Sequence, residues 1–520
     1  MRITRRTFCR NTLGAGLALG AAGAGGGLLS LAQAAAARPT YVNPVLGGDH
    51  PDAGAIRVGD DFYLTHSSFD YAPGLPIWHS NDLVNWTQVG AALRKYYGSV
   101  WAPYLCEHDG RFFIYFPCNN RLHVVHAQHP RGPWSEPVDL HIDAIDPAHI
   151  AANARRYLHY NGGYVVELAP DGLSVKGSAR KVFEAWPIPS NLRIECECLE
   201  APKLFRRGEY FYLTVAEGGT GGPATSHMVV SARSKHPDGP WEYSPHNPIA
   251  HTASNKDRWM SLGHGRPVEA PDGSWWMTAH SYENGFRGLG RQMILLPLEW
   301  TKDGWFRLPA GVSSEKPIAM MKSGRKQTRS PDLSDAFTSP ELGLQWQFWR
   351  ELDPLRCQTG AGRLVLAAKG SGVDDSPVLT CITGDHSYTV EVDIECTPGC
   401  EAGLLLYYGP GHACGIRIGA AGLAVRLANG YAPDIGVKTT RATLRIINDR
   451  QEVDFYYRLP GEAWKRTQES AEVAGLNHNV LGGFLDLRPA LYACGSGHAT
   501  FRSFRHVAQS IHGASSGESP

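Results

Sequence analysis

A turn followed by alternating aromatic residues recurs along the first two-thirds of this chain, and it restricts the fold more than any other feature. The copies are "VGDDFYL" around Phe62, "HDGRFFIYF" around Phe112, "NARRYLHY" around Tyr157, "RRGEYFYL" around Tyr210 and "PDGSWWMT" around Trp275. These aromatics are 50, 45, 53 and 65 residues apart, near the length of one blade of a β-propeller. A second element, "HSNDLVNW" at His79, "HPRGPW" at His129 and "HPDGPW" at His236, recurs between them. Each unit is too small to bury its own apolar face, so five in succession predict a five-bladed propeller. The 58 Gly, 35 Pro, 14 Trp and 21 Tyr among 520 residues fit short strands joined by turns, and long helical periodicity is hard to find. The expected class is all-β.

Counting back ten or eleven residues from each repeat aromatic gives Asp52, Trp101, Asp146, Glu200 and His264. Each is expected to open the innermost strand of its unit, where the five would ring one end of the propeller axis. This phase separates Glu200 from its neighbours in "ECECLEAPKLFRRGEYFYLTVAEGG". Glu195, Glu197, Glu209 and Glu217 fall outside the repeated position and read as solvated surface. Either aspartate alone would read as a turn cap beside proline. Three carboxyls in one register, with Trp and His completing the ring, read as a site. Converging acids repel unless one keeps its proton, an arrangement suited to glycoside hydrolysis.

The chain resembles glycoside hydrolase family 43, the β-xylosidase and α-L-arabinofuranosidase group of five-bladed propellers. The resemblance rests on "NPVLGGDHPDAGAIRVGDDFYLTHSSF", "PGLPIWHSNDLVNW", "VWAPYL", "IDPAH", "LEAPKLFRRGEYFYLTVAEGG", "GHGRPVEAPDGSWW" and "LGRQMILLPLEW", in the family's order from Tyr41 to Leu308. It implies an inverting glycosidase that removes terminal pentoses from oligosaccharides, with Asp52 as general base, Glu200 as general acid and Asp146 as the third carboxylate. It implies substrate contacts from Arg291, apolar walls from Phe69 and Trp101, and a water or a calcium ion held near His264. No cofactor is otherwise required. Inversion calls for carboxyl groups about 6.5–9.5 Å apart. The same machinery acting on a galactofuranoside, a retaining fructosidase-type propeller and a non-catalytic sugar-binding propeller are the alternative expectations.

One departure stands in the acid motif, "EAPK", where the family commonly has Gly and His. Lys203 would lower the acid's pKa if it stood close. In a regular strand, however, it would point away from Glu200. The family's xylosidase-like members follow the propeller with a concanavalin-like β-sandwich, which the region after Phe337 resembles. The alternation in "YTVEVDIEC", "AGLAVRLANG" and "ATLRIINDRQEVDFYYRL" fits such strands. The expected organisation is a twin-arginine signal over 1–34, a propeller over 41–315, a linker over 316–335, a sandwich over 336–507 and a disordered tail over 508–520. The sandwich is expected to pack against the propeller and close one side of the pocket rather than to bind sugar.

Arg5 and Arg6 before Phe8, an apolar Gly/Ala run and "AQA" ending at Ala34 read as a twin-arginine export signal. This predicts a bacterial protein of the periplasm or beyond, with no membrane association after cleavage. Fifty basic and fifty acidic residues leave no excess charge for nucleic acid. Eleven cysteines show no zinc spacing, and Cys196 and Cys198, which would share one face if they lay in a strand, read as unpaired. "GASSG" at Gly513 and "EGGTGG" at Glu217 imitate an esterase elbow and a phosphate loop but lack the strand and helix these need. His50 and His227 read as structural histidines.

Overall fold

The computed structural model describes residues 38–509 except 329–330, 352 and 354. The segment expected to be an export signal, the "GASSG" run and the tail from 510 lie outside the described residues. Five antiparallel sheets follow one another in chain order, over 54–93, 104–143, 148–181, 199–243 and 259–307. Each has four strands in sequential order, and the fourth blade adds the short strand Ala250–His251. Every repeat aromatic lies on the second strand of its blade, as Phe62 does in Asp61–Thr65 and Trp275 in Trp275–Glu283. Phe62, Phe112, Tyr157 and Trp275 are buried. Each such burial stabilises by about 1.5–3 kcal/mol, so the repeat is legible because it is the core.

The ring closes through the segment before the first blade. Val45 N donates to Met293 O at 3.0 Å and Tyr41 OH to Leu295 O at 2.8 Å, fastening that segment to the fifth blade. The stretch expected as a linker is also strapped to the propeller. Ile318–Ala319 pairs with Thr40–Tyr41, and Met320 and Met321 are buried beside blade five.

Two seven-stranded sheets follow and enclose one apolar core. The strand Ser387–Cys396 alternates buried and half-exposed residues along its length, as its sequence pattern predicts. "ATLRIINDRQEVDFYYRL" forms two strands, Arg441–Asp449 and Glu452–Arg458, joined at Arg450 and Gln451, whose φ values are +52° and +95°. Tyr71–Ala72, from the first blade's connection, pairs with Gln347–Trp349 at one sheet edge. The sandwich therefore carries a strand supplied by the propeller.

Candidate active site

Asp52, Phe69, Trp101, Asp146, Glu200, His264 and Arg291 line a single cavity of about 110 Å³, together with Ala102, Ile145, Thr220 and Phe484. The phase of the repeat accounts for five of them. Asp52, Trp101 and Asp146 lie just before the innermost strands Gly54–Val58, Tyr104–His108 and Ala148–Ala152, and Glu200 is second in Leu199–Arg207. His264 differs from the expectation: it lies inside Trp259–Glu269, whose pairing shifts register on both sides of Gly263. Asp52, Asp146 and His264 have φ of +61°, +56° and +54°, and at the other two positions the next residue does, Ala102 at +27° and Ala201 at +51°. Left-handed backbone costs a non-glycine residue of order 1 kcal/mol or more, and here it recurs at each blade's axial end, turning side chains toward the axis.

Asp52 is 3% exposed and heavily partnered. Its Oδ2 accepts from Ser67 Oγ, and its Oδ1 accepts from Arg291 Nη1 at 3.1 Å. His264 Nδ1 lies 3.2 Å from that oxygen, and His280 Nδ1 3.1 Å from it. Burial alone would raise this carboxyl, but Arg291, His264 and His280 outweigh it and hold Asp52 well below the usual carboxylate range. On the other side of the same imidazole, His264 Nε2 lies 3.6 Å from Glu200 Oε1. Glu200 is the more open acid, its side chain 19% exposed against 4% for Asp52. Asp146 Oδ2 accepts from Ala201 N at 3.0 Å, which ties it to the strand that carries Glu200. Burial pushes Asp146 up to about 6, with Glu200 adding to the rise while His264 and Lys203 oppose it.

The apolar wall comes from both domains. Phe69 packs 6.5 Å from Trp101 and stacks 6.5 Å from Phe484, a sandwich residue. The Arg291 guanidinium lies 5.0 Å from the Phe484 ring. His478 stacks on the outer face of Phe484 at 3.7 Å. The sandwich thus packs against the propeller and closes one side of the pocket with the Phe484 ring. Phe484, Ser67, Thr220 and His280 were not signalled by the repeat, since none stands at its phase. A larger cavity of about 330 Å³, between Trp78, Trp86 and Gln347, holds none of the ring carboxyls.

His227, His264 and His280 bring ring nitrogens within 4.8 Å of one another. Neither nitrogen of His227 has a hydrogen-bond partner among the described residues. Three imidazoles do not fit calcium, which takes six to eight oxygens. Although burial opposes it, Asp52, Glu200 and Asp146 raise His264 toward its protonated form, which further opposes a cation bound there. His50 stands apart, packed on His66 and Trp78.

The remaining glutamates divide differently from the expectation. Glu195, Glu197 and Glu209 are exposed, but Glu217 is 1% exposed, its Oε1 accepting from Trp186 N at 2.9 Å. It fails the surface reading because the loop before blade four folds over it. Cys196 and Cys198 lie in that loop rather than in a strand, so their Cα atoms approach to 5.2 Å and they form a disulfide, contrary to the expected free thiols. The other eight described cysteines are free. Burial pushes the Glu217 carboxyl up to about 7, from an ordinary 4.5. The folded protein thus keeps a proton that the unfolded chain releases, and stability falls as pH rises between those values. Chemical denaturation of Glu217→Gln should lack this decline, gaining up to about 3 kcal/mol on the wild type between pH 4.5 and 7.5. Parallel curves for the two proteins would refute the assignment.

Residues 41–306 match the family described as "Glycosyl hydrolases family 43", and residues 334–506 match "Beta xylosidase C-terminal Concanavalin A-like domain". A non-reducing end alpha-L-arabinofuranosidase of Bacteroides ovatus is 29% identical, over 91% of this chain and 94% of its own. A xylan 1,3-beta-xylosidase of a Vibrio species is 29% identical, over 71% of this chain and 77% of its own. The crystal structure of the GH43 BlXynB protein from Bacillus licheniformis superposes with a TM-score of 0.80 at 27% identity, covering 90% of this chain and all of that one. With its propeller and its sandwich each matched in turn, the chain belongs to glycosyl hydrolase family 43 and is a glycosidase that hydrolyses O-glycosyl bonds.

Proposed function

We propose that the protein is an exported, exo-acting glycosidase that removes terminal pentoses, β-xylose or α-L-arabinofuranose, from plant-wall oligosaccharides with inversion at the anomeric carbon. The observation that carries this reading is the placement of Asp52 and Glu200 on opposite nitrogens of one imidazole. That placement caps the separation of the two oxygens at about 9 Å and is compatible with the window of about 6.5–9.5 Å that admits a water. A cavity of about 110 Å³ walled by Phe69, Trp101 and Phe484 suits one sugar ring better than a passing chain. The names of the relatives, an arabinofuranosidase and a xylosidase, support the pentose.

In this mechanism Asp52, ionised through its ion pairs, takes a proton from the attacking water. Glu200, facing the open side, gives its proton to the leaving oxygen. Asp146 is the buried charge that keeps that proton on Glu200. Arg291 fixes Asp52 and reaches the sugar hydroxyls. The Arg5–Arg6 pair before an apolar Gly/Ala run supports export to the periplasm or beyond.

The test is turnover of aryl β-xylosides, α-L-arabinofuranosides and β-galactofuranosides, with the first-formed anomer read by proton NMR. A pentose released with inverted configuration is expected. Release of the retained anomer would overturn the mechanism, and turnover of the galactofuranoside alone would overturn the substrate.

A further inference from the structure

The strand Leu199–Arg207 holds a feature that changes the meaning of Lys203. Glu200 pairs with Ala216 and Lys203 with Thr214, so three steps on one strand face two on the other. This is a β-bulge, centred on Ala201 with its φ of +51°. One extra residue reverses the alternation, and Lys203 comes to the same face as Glu200 rather than the opposite one. The sequence expectation for Lys203 therefore fails at the bulge.

Lys203 is 1% exposed, and its Nζ has no hydrogen-bond partner among the described residues. The ammonium lies 5.6 Å from the buried Tyr104 ring, which also carries the Arg266 guanidinium at 4.1 Å. An unpartnered buried ammonium is costly, and only neighbouring charge can offset that cost. The groups acting on it are Asp146 before blade three, Arg266 on blade five and Asp52 before blade one. Glu200 shares its strand, and His264 completes the charges around Asp146.

We propose that Lys203 is a positioning residue whose buried ammonium, brought to the axial face by the bulge, holds Asp146 in its charged form and so leaves the transferable proton on Glu200. This rests on the acid and base roles proposed above. A buried carboxyl and a more open one compete for one proton, and a fixed cation acting on the buried one decides where it goes. Burial already draws Asp146 up to about 6, so loss of an opposing charge would let it compete with Glu200 near neutral pH.

The experiment compares wild type with K203M, K203R, D146N and D146N/K203M. K203M should lose about 10–100-fold in kcat, and the acid limb of its kcat/KM profile should move up by about one pH unit. K203R should restore both. In the D146N background K203M should cost less than about threefold, because the charge acts through Asp146. An unmoved acid limb, or an undiminished loss in the D146N background, would overturn the proposal. The Asp146 carboxyl carbon, followed by NMR against D146N, gives the same answer without turnover. It should titrate higher in K203M, and no displacement there would overturn the proposal even if every pentoside in the panel were refused. Should K203M fail to fold, K203Q carries the same prediction.

Discussion

Asp52→Asn and Glu200→Ala should both lose activity, but with opposite dependence on the leaving group. General acid or base catalysis is worth about 10²–10⁴-fold. Asparagine keeps the shape of Asp52 and can still accept from Arg291 through its oxygen, with its amide nitrogen turned to donate to Ser67 Oγ, yet it cannot take a proton from water. Its loss should therefore be equally deep for a nitrophenyl pentoside and for an oligosaccharide. Glu200→Ala removes the proton donor, which a nitrophenolate scarcely needs and a sugar alkoxide cannot do without. Its loss should be shallow on the aryl glycoside and near the full range on the oligosaccharide. Steady-state kinetics on both substrates checks this. An Asp52→Asn variant as active as wild type would sink the assignment of the base, and a leaving-group dependence in Asp52→Asn with none in Glu200→Ala would exchange the two roles.

This pocket was legible in the sequence because its residues inherit the period of the core. Phe62, Phe112, Tyr157, Tyr210 and Trp275 repeat since each blade must bury an aromatic against the next, and whatever stands a fixed distance upstream shares one end of the axis. Asp52, Trp101, Asp146, Glu200 and His264 are read that way. Phe69 and Arg291 follow from the resemblance. Phe484 follows from neither: it sits in a sandwich loop, more than four hundred residues from Phe69 in the chain, and only the packing of the two domains brings the rings together. Lys203 and Glu217 were misread for local reasons. An alternation argument holds only while a strand is regular, and the bulge at Ala201 breaks it. Glu217 lies at a strand end that a loop covers, and no periodicity shows what a loop covers. The Cys196–Cys198 bridge was missed because the pair was judged by strand geometry, whereas both stand in the loop before Leu199.

The junction between the domains makes the second large prediction. Arg488, from the sandwich, is 2% exposed and stacks 3.6 Å from the Tyr71 ring. It donates to Asp486 Oδ1 at 2.6 Å and to Gln347 Oε1 at 2.9 Å, and it lies 3.9 Å from Asp49 Oδ2. Asp49 belongs to the propeller and accepts from Arg291 N at 2.9 Å, while Arg291 holds Asp52. One buried guanidinium thus links the sandwich to Asp52 through two intermediates. Removing it strands Asp486 without its ion pair, and breaking a buried pair costs about 3–5 kcal/mol. Arg488→Met should lose that much stability at pH 7 by chemical denaturation, and its kcat should fall as Arg291 loosens. Asp49 behaves differently. Burial, together with Asp486, pushes its carboxyl up to about 8 against the pull of Arg291 and Arg488. That rise favours the neutral acid, and an asparagine can accept the same Arg291 hydrogen bond. Asp49→Asn should therefore cost less than about 1 kcal/mol, within the range of a single modest hydrogen-bond change. If Asp49→Asn proved as damaging as Arg488→Met, Asp49 would be ionised and paired with Arg488. The route from the sandwich to Asp52 would then be a chain of charges rather than one ion pair handed on through a neutral acid.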